Sequence, residues 1–221
     1  MKHKRLTLFA GHYGSGKTNI AVNYAKLLRS EGKRVCIADL DIVNPYFRTK
    51  DSEIELKELG IDLISPRYAN TNVDLPALPA ESYRLVQDKS HYGIMDIGGD
   101  DRGAYALGRF VDEIKRENNY RMAFVVNCYR PLTSTVDDTV DIMREIENAC
   151  KLNFTCIVNN SNLGKETDEN TVLGSFEYID KLTSATGLPL WCHTVVHSVA
   201  QKLCGLPILP LTLQKKYFDV E

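Results

Sequence analysis

The residues best suited to chemistry lie in a glycine-rich segment near the start of the chain. Residues Gly11–Thr18 fit the pattern Gly-x4-Gly-Lys-Ser/Thr, which marks a phosphate-binding loop when it joins a strand to a helix. The glycines let successive amides point into one concavity, and the helix amino terminus adds partial positive charge. We therefore expect nucleotide phosphates to be held by Gly11, His12, Tyr13, Gly14, Ser15, Gly16, Lys17, Thr18 and Asn19.

Two side chains at the end of this segment match the needs of a phosphate–metal complex. Lys17 is expected to reach the β- and γ-phosphates as a point charge. The Thr18 hydroxyl is expected to bind the Mg²⁺ ion that neutralises those phosphates. ATP and Mg²⁺ are therefore the predicted ligands, and Lys17 is a predicted catalytic residue.

A carboxylate and two glycines follow a strand-like run farther along the chain. Asp96 follows the apolar run Tyr92–Met95, and Gly98 and Gly99 come directly after Ile97. A second carboxylate near the magnesium is what a phosphate-binding loop needs, so Asp96 is a predicted metal ligand. The glycines suit a switch segment that approaches the γ-phosphate and moves when it leaves.

Two further carboxylates stand at the end of another apolar run. Asp39 follows Val35–Ala38, and Asp41 comes two residues later, after Leu40. The carboxyl ends of parallel strands form the edge where ligands bind in an open α/β sheet, and strand alternation points both side chains to one side. We expect Asp39 to serve the magnesium and Asp41 to orient the attacking water, as a catalytic residue.

The elements that must position these residues alternate along the whole chain. Short apolar runs separated by stretches of helical period predict one domain, residues 1–221, with an α/β fold. The expected architecture is a three-layer, mostly parallel, doubly wound sheet with helices on both faces. The predicted strands are Leu6–Ala10, Arg34–Leu40, Asp62–Ser65, Tyr92–Ile97, Met122–Asn127, Phe154–Asn159 and Leu190–Val195, with a last strand and a terminal helical turn within Leu206–Glu221.

Helical spacing of apolar residues predicts four amphipathic helices. One follows the glycine-rich loop and stops at Gly32; the others carry the stripes 104–114, 136–146 and 172–182. The proline-rich stretch Ser65–Pro79 is expected to be a surface loop and a candidate partner or substrate surface.

Composition excludes several function classes. A net charge of −2 gives no sign of the clustered basic face that is typical of nucleic-acid-binding proteins. No apolar run is long enough for a membrane span. The basic start Met1–Arg5 precedes only a short apolar run, which we interpret as a strand instead of a signal peptide. Six scattered cysteines without a Cys-x-x-Cys pair predict reduced core thiols and a cytoplasmic location.

The loop Gly11–Thr18, the Asp39-Leu40-Asp41 motif and the Asp96-x-Gly98-Gly99 switch together resemble the SIMIBI class of P-loop NTPases. The likeness is to the branch of ParA, MinD, CobQ-type domains and the nitrogenase iron protein. This resemblance implies that Asp41 orients the hydrolytic water, that Asp96 serves magnesium, and that an Asn at the end of a late strand reads the base. Asn159 matches that position, and its neighbour Asn160 is the alternative contact.

The sequence departs from this branch at one loop position. Relatives carry a signature lysine as the second residue of the loop, which reaches across a nucleotide-sandwich dimer, whereas this chain has His12. The nickel-insertion GTPases also lack that lysine, but their His and Cys clusters have no counterpart here. Arg48, Arg102 and Arg109 are candidate arginine fingers or surface ion-pair residues.

The resulting functional hypothesis is an ATPase switch that acts on an unidentified protein partner, with a possible nucleotide-dependent homodimer. No Asn-Lys-x-Asp guanine-reading motif follows Asn127 or Asn159, which favours ATP over GTP. The alternatives are an ATP-dependent enzyme of the CobQ or dethiobiotin-synthetase kind that activates a carboxylate, a metallochaperone-type NTPase, and a scaffold that binds ATP without hydrolysing it.

Overall fold

A single parallel sheet forms the centre of the molecule. The structure is a computed structural model, and it describes residues 2–40, 52–65, 80–98 and 107–213. Within them the sheet has eight strands in the order β3-β2-β4-β1-β5-β6-β7-β8, and all seven neighbouring pairs are parallel. The strands are β1 (Leu6–Ala10), β2 (Val35–Leu40), β3 (Asp62–Ile64), β4 (Tyr92–Ile97), β5 (Tyr120–Val126), β6 (Cys156–Asn159), β7 (Leu190–Val196) and β8 (Ile208–Leu211).

Helices connect these strands. They are α1 (Lys17–Ser30), α2 (Glu53–Glu58), α3 (Arg84–Gln87), α4 (Val111–Glu117), α5 (Val136–Cys150), α6 (Glu169–Gly174), α7 (Phe176–Thr186) and α8 (His197–Ala200). Short 3₁₀ turns lie at Ala80–Tyr83, Pro131–Thr133 and Gly164–Glu166. In the described part of the chain, no helix is both long enough and apolar enough to cross a bilayer.

Both faces of the sheet are covered, which confirms the predicted three-layer α/β fold. One core contains buried side chains of α3, α4, α5 and α7 together with strand residues. The opposite core contains Ile20 and Leu28 of α1 and Leu56 of α2. The sheet was expected to be mostly parallel, and every described strand pairing is parallel.

Helix α1 has the boundaries that its sequence signals predict. It follows Gly16, whose φ of 91° ends the glycine-rich loop, and the chain turns at Gly32 with a φ of 77°. Its buried stripe includes Ile20, Tyr24 and Leu28. Because α1 packs on β1, β2 and β4, its amino terminus is held at the carboxyl edge of those strands.

The apolar stripe 172–182 is divided between two helices, so the expectation of one helix there is wrong. Helix α6 ends at Gly174 and α7 begins at Phe176. Between them, the Ser175 hydroxyl donates to the Val172 carbonyl at 2.6 Å and accepts from the Asn159 side-chain amide at 2.8 Å. The hydrogen bond from Asn159 of β6 therefore holds the junction between α6 and α7. Helical periodicity in the sequence does not indicate this hydrogen bond.

All six cysteines are free, and four are buried, as predicted for core thiols. Cys128 is partly exposed and Cys204 is exposed, so these two depart from the prediction. Burial raises the pKa of Cys36 and Cys192 to about 12. These two thiols stay protonated and unreactive at neutral pH.

Several predicted features lie outside the described residues. They are the water-orienting candidate Asp41, the switch glycine Gly99, the arginines Arg48 and Arg102, most of the Ser65–Pro79 loop, and the terminal turn after Leu213. Arg109 is described and is exposed just before α4.

Candidate functional site

The glycine-rich loop follows β1 and is shaped by two close approaches of its backbone. Gly11 has a φ of 149°, and a Cβ there would overlap the carbonyl oxygen of Val125 on the neighbouring strand β5. Gly16 has a φ of 91°, and a Cβ there would overlap the Asn160 amide. Only glycine fits at each of these positions, because a Cβ would clash with neighbouring atoms and residues with a side chain rarely adopt these positive φ values.

Asn160 ties this loop to the end of β6. Its buried side-chain Nδ2 donates to the Ser15 carbonyl at 2.6 Å, and its Oδ1 accepts from the Thr194 hydroxyl on β7 at 2.6 Å. Its backbone N–H donates to the Val126 carbonyl at 2.8 Å. The loop is therefore held by a side-chain hydrogen bond from the residue that follows β6, a strand two positions away from β1 in the sheet.

The exposed part of the loop comprises His12, Tyr13 and Gly14. The His12 ring Nδ1 lies 2.9 Å from the Tyr13 carbonyl oxygen, so Nδ1 is the protonated nitrogen in this contact. The His12 carbonyl accepts from the Lys17 ammonium at 3.1 Å and from the Ser15 N–H at 3.2 Å. The His12 side chain is half-exposed.

The inner part of the loop is buried. Ser15, Lys17 and Thr18 are each less than 9% exposed, and Asn19 is half-buried. Within the described residues, the buried Ser15 Oγ has no hydrogen-bond partner. A cradle that glycines keep open, beside a buried lysine and a buried hydroxyl, fits the phosphates of a nucleotide.

Two carboxylates are brought together beside the start of α1. Asp39 on β2 and Asp96 on β4 are direct neighbours in the strand register, and both are buried. Asp96 is also paired in register with Phe9 of β1. Phe9 belongs to the core that α1 covers, so the two carboxylates share that face with the α1 amino terminus.

This donor set fits a magnesium ion. Carboxylate and hydroxyl oxygens are the hard ligands that Mg²⁺ takes in nucleotide sites, usually with several waters and phosphate oxygens. Asp39, Asp96 and Thr18 supply such oxygens at one edge of the sheet. Among the residues that the structure describes, no cluster of three or more His, Cys, Asp or Glu residues forms a separate metal centre.

Asn159, the predicted base-reading residue, contacts a different part of the molecule from its neighbour Asn160. Its buried Nδ2 donates to the Ser175 hydroxyl at 2.8 Å and lies 3.0 Å from His193 Nδ1. The His193 ring stacks on Phe176 with centroids 4.6 Å apart, and burial lowers the pKa of His193. The structure thus brings Asn160, and not Asn159, to the loop.

The family assignment follows from the sequence that builds this site. Residues 6–171 match the model of the CobQ/CobB/MinD/ParA nucleotide binding domain. The chain belongs to that family. The match runs from β1 into α6 and includes the glycine-rich loop, Asp39, Asp96 and both asparagines after β6.

Solved structures similar to this CobQ/CobB/MinD/ParA domain share its fold. They include FtsY from Thermotoga maritima (18% identity, TM-score 0.56, 86% of this chain and 60% of that chain) and chloroplast FtsY from Physcomitrella patens (14%, 0.58, 87% and 59%). Another is the signal recognition particle receptor FtsY from Elizabethkingia anophelis in complex with GDP (14%, 0.51, 97% and 62%). Among curated proteins, no sequence matches this chain.

These neighbours and the family model together place the CobQ/CobB/MinD/ParA domain in the SIMIBI class of P-loop NTPases. The chain is therefore a nucleotide-binding fold of that class. It spans about 60% of the length of the FtsY chains that it matches.

One residue beside the loop of this SIMIBI-class domain was missed by sequence reasoning. The Arg130 side chain, from the turn after β5, lies next to Gly14: its Nε is 4.0 Å from the position that a Cβ on Gly14 would take. No motif surrounds Arg130 in the sequence. Its position is set by how β5 lies beside β1, which residue spacing does not reveal.

Proposed function

We propose that this protein is a Mg²⁺-dependent ATPase that acts as a nucleotide switch on a protein partner. The observation that carries the proposal is the register pairing of Asp39 with Asp96 on the face covered by α1, beside the loop that ends in Lys17 and Thr18. A phosphate cradle alone binds anions. A cradle with two buried carboxylates and a threonine at the same edge suits a magnesium nucleotide.

The proposed reaction is hydrolysis of ATP to ADP and phosphate. The water oxygen bonds to the γ-phosphorus as the bond from that phosphorus to the β–γ bridging oxygen breaks. The electron pair stays on ADP, and the water proton ends on the released phosphate or in solvent. Lys17 binds the β- and γ-phosphates, and Asp41 orients the water. When bound, Mg²⁺ neutralises phosphate charge, and Thr18, Asp39 and Asp96 are the residues that would hold it.

ATP is the proposed nucleotide because the base-side residues include no guanine-reading carboxylate in an Asn-Lys-x-Asp motif. Asn159 is the residue proposed to contact the base, and Asn160 is the alternative. Competition between ATP and GTP for a bound fluorescent ATP analogue tests this choice. Preference for GTP would replace ATP in the proposal without removing the hydrolytic site.

The switch proposal includes a protein partner and a nucleotide-dependent homodimer. Loss of the γ-phosphate would change the contacts of the segments that follow Asp39 and Asp96, and such segments signal nucleotide state in P-loop switches. The free state of all six cysteines is typical of a reducing compartment, which supports a cytoplasmic location.

The test is nucleotide binding and phosphate release by the wild type, by Lys17→Ala and by the control Lys165→Ala in an exposed 3₁₀ turn. We expect Lys17→Ala to abolish binding of ATP and Lys165→Ala to match the wild type. Equal ATP binding by Lys17→Ala would sink the proposal. Turnover that requires one carboxylic acid and yields its phosphorylated product would favour the metabolite-activating alternative.

A further inference from the structure

Local hydrogen bonds hold the turn that carries Arg130. The Asn127 carbonyl accepts from the Thr133 hydroxyl at 2.6 Å and from the Arg130 N–H at 3.1 Å. The Asn127 side chain accepts from the Tyr129 N–H at 3.0 Å, and the Arg130 carbonyl accepts from the Thr133 N–H at 3.0 Å. The backbone of this turn is therefore held in place at the end of β5.

Proline restricts the arginine further. Pro131 follows Arg130, and a residue before proline is disfavoured from the helical region. Arg130 accordingly has φ −91° and ψ 138°. Because its backbone is fixed from both sides, the direction in which its side chain leaves the turn is set by the fold.

The side chain leaves the turn toward the glycine-rich loop. Arg130 Nε lies 4.0 Å from where a Cβ on Gly14 would be, and Gly14 is in the exposed part of the loop. Arg130 is itself exposed. Across residues 2–40, 52–65, 80–98 and 107–213, no carboxylate forms an ion pair with Arg130. Within those ranges, the Arg130 guanidinium is therefore not used in a structural ion pair.

The exposed part of the loop, His12 to Gly14, carries no permanently charged side chain. The second residue of the loop is His12, and a histidine has no permanent charge at neutral pH, in contrast to the lysine of related loops. The His12 Nδ1 is also engaged with the Tyr13 carbonyl. A guanidinium is always charged and presents a planar fork of donors that matches phosphate oxygens.

We infer that Arg130 contacts the terminal phosphate of the nucleotide from within the same chain and supplies the permanent charge that His12 does not. This inference rests on the proposed function. Arg130 lies in a different segment of the chain from the candidates Arg48, Arg102 and Arg109. The contact requires a γ-phosphate, so Arg130 favours the triphosphate over the diphosphate.

The test compares affinities for a nonhydrolysable ATP analogue and for ADP, each with Mg²⁺, by calorimetric titration. The variants are Arg130→Ala, Arg130→Lys and the control Arg144→Ala, whose exposed side chain on α5 pairs with Asp141. We expect Arg130→Ala to lower the preference for the triphosphate analogue by about tenfold, the usual weight of a charge-assisted hydrogen bond. Arg130→Lys should keep part of the preference, and Arg144→Ala all of it.

A structural role alone would not change this ratio, because a loosened loop weakens both nucleotides together. Thermal melting of each variant checks that the fold is intact. If the wild type binds both nucleotides and Arg130→Ala keeps its preference within about twofold, the Arg130 contact is wrong and the proposed function stands. If the wild type binds neither nucleotide, both are wrong.

Discussion

The Asn160 side-chain amide donates to the Ser15 carbonyl across 2.6 Å and so joins the end of β6 to the phosphate-binding loop. The same side chain accepts from Thr194 on β7, so its orientation is determined on both sides. The loop conformation is thereby coupled to the strands on the far side of β5. Removing this amide should disturb the loop more than the sheet.

Replacement of the Asn160 amide is the first test of that coupling. Asn160→Ala should reduce ATP affinity by about tenfold and the free energy of unfolding by about 1–3 kcal/mol, because a buried carbonyl and a buried hydroxyl each lose a partner. Isothermal titration and urea denaturation measure the two effects. Asn153→Ala, at an exposed loop position, is the control. Unchanged ATP affinity in Asn160→Ala would show that the loop holds its shape without this hydrogen bond.

The glycine at the end of the loop offers a second prediction. Gly16 and Gly187 both have positive φ, 91° and 69°, but only Gly16 has a side chain, Asn160, in the space of a Cβ. Gly187→Ala should cost about 1–2 kcal/mol of unfolding free energy from backbone strain alone. Gly16→Ala should cost more and should also abolish ATP binding. Similar losses of stability with intact binding in both variants would contradict the steric argument.

The paired carboxylates predict a specific dependence on magnesium. Asp96→Asn keeps the size of a buried side chain but removes its charge, so we expect the Mg²⁺ concentration for half-maximal ATP hydrolysis to rise at least about tenfold. The fold should persist in circular dichroism and melting. Asp62→Asn, on the exposed end of β3, should behave like the wild type. A magnesium requirement that Asp96→Asn leaves unaltered would remove this residue from the metal site.

The buried His193 predicts a loss of stability in mild acid. Burial lowers its pKa below the ordinary 6.5, so between that folded-state pKa and 6.5 the unfolded chain binds more protons than the folded one. Stability from this group is present above pH 6.5 and falls as the pH drops below it, by at most about 1.4 kcal/mol per pH unit. Buried His91 has a lowered pKa from the same main cause and adds to the trend.

Urea denaturation between pH 5 and pH 7.5 measures this slope. His193→Asn keeps a polar atom for the Asn159 amide and should make the pH dependence less steep, with the part from His91 remaining, while the exposed His197→Gln should keep the full slope. If His193→Asn loses stability in acid as steeply as the wild type, the histidine is not the responsible group.

Local patterns were enough for much of the architecture. The bounds of β1 and β4 agree with the predicted runs, and α1 begins and ends where the loop and Gly32 indicate. These features depend on alternation, helical period and glycine, which are all contained in a short window of residues. The motifs likewise sufficed for the family and the SIMIBI class.

The partners of individual polar side chains were decided by tertiary structure. Asn159 and Asn160 are adjacent and chemically identical, yet successive side chains of a strand face opposite sides, so one contacts Ser175 and the other Ser15. Ser175 divides a stripe that periodicity assigns to one helix, because its hydroxyl accepts a hydrogen bond from β6. Arg130 reaches the loop only because β5 lies beside β1. The sequence alone determined that a phosphate cradle exists and which strand carries it. Strand order and register decided which side chains surround the cradle, because the contacts of Asn160 with Ser15 and of Arg130 with Gly14 join residues more than a hundred positions apart in the chain.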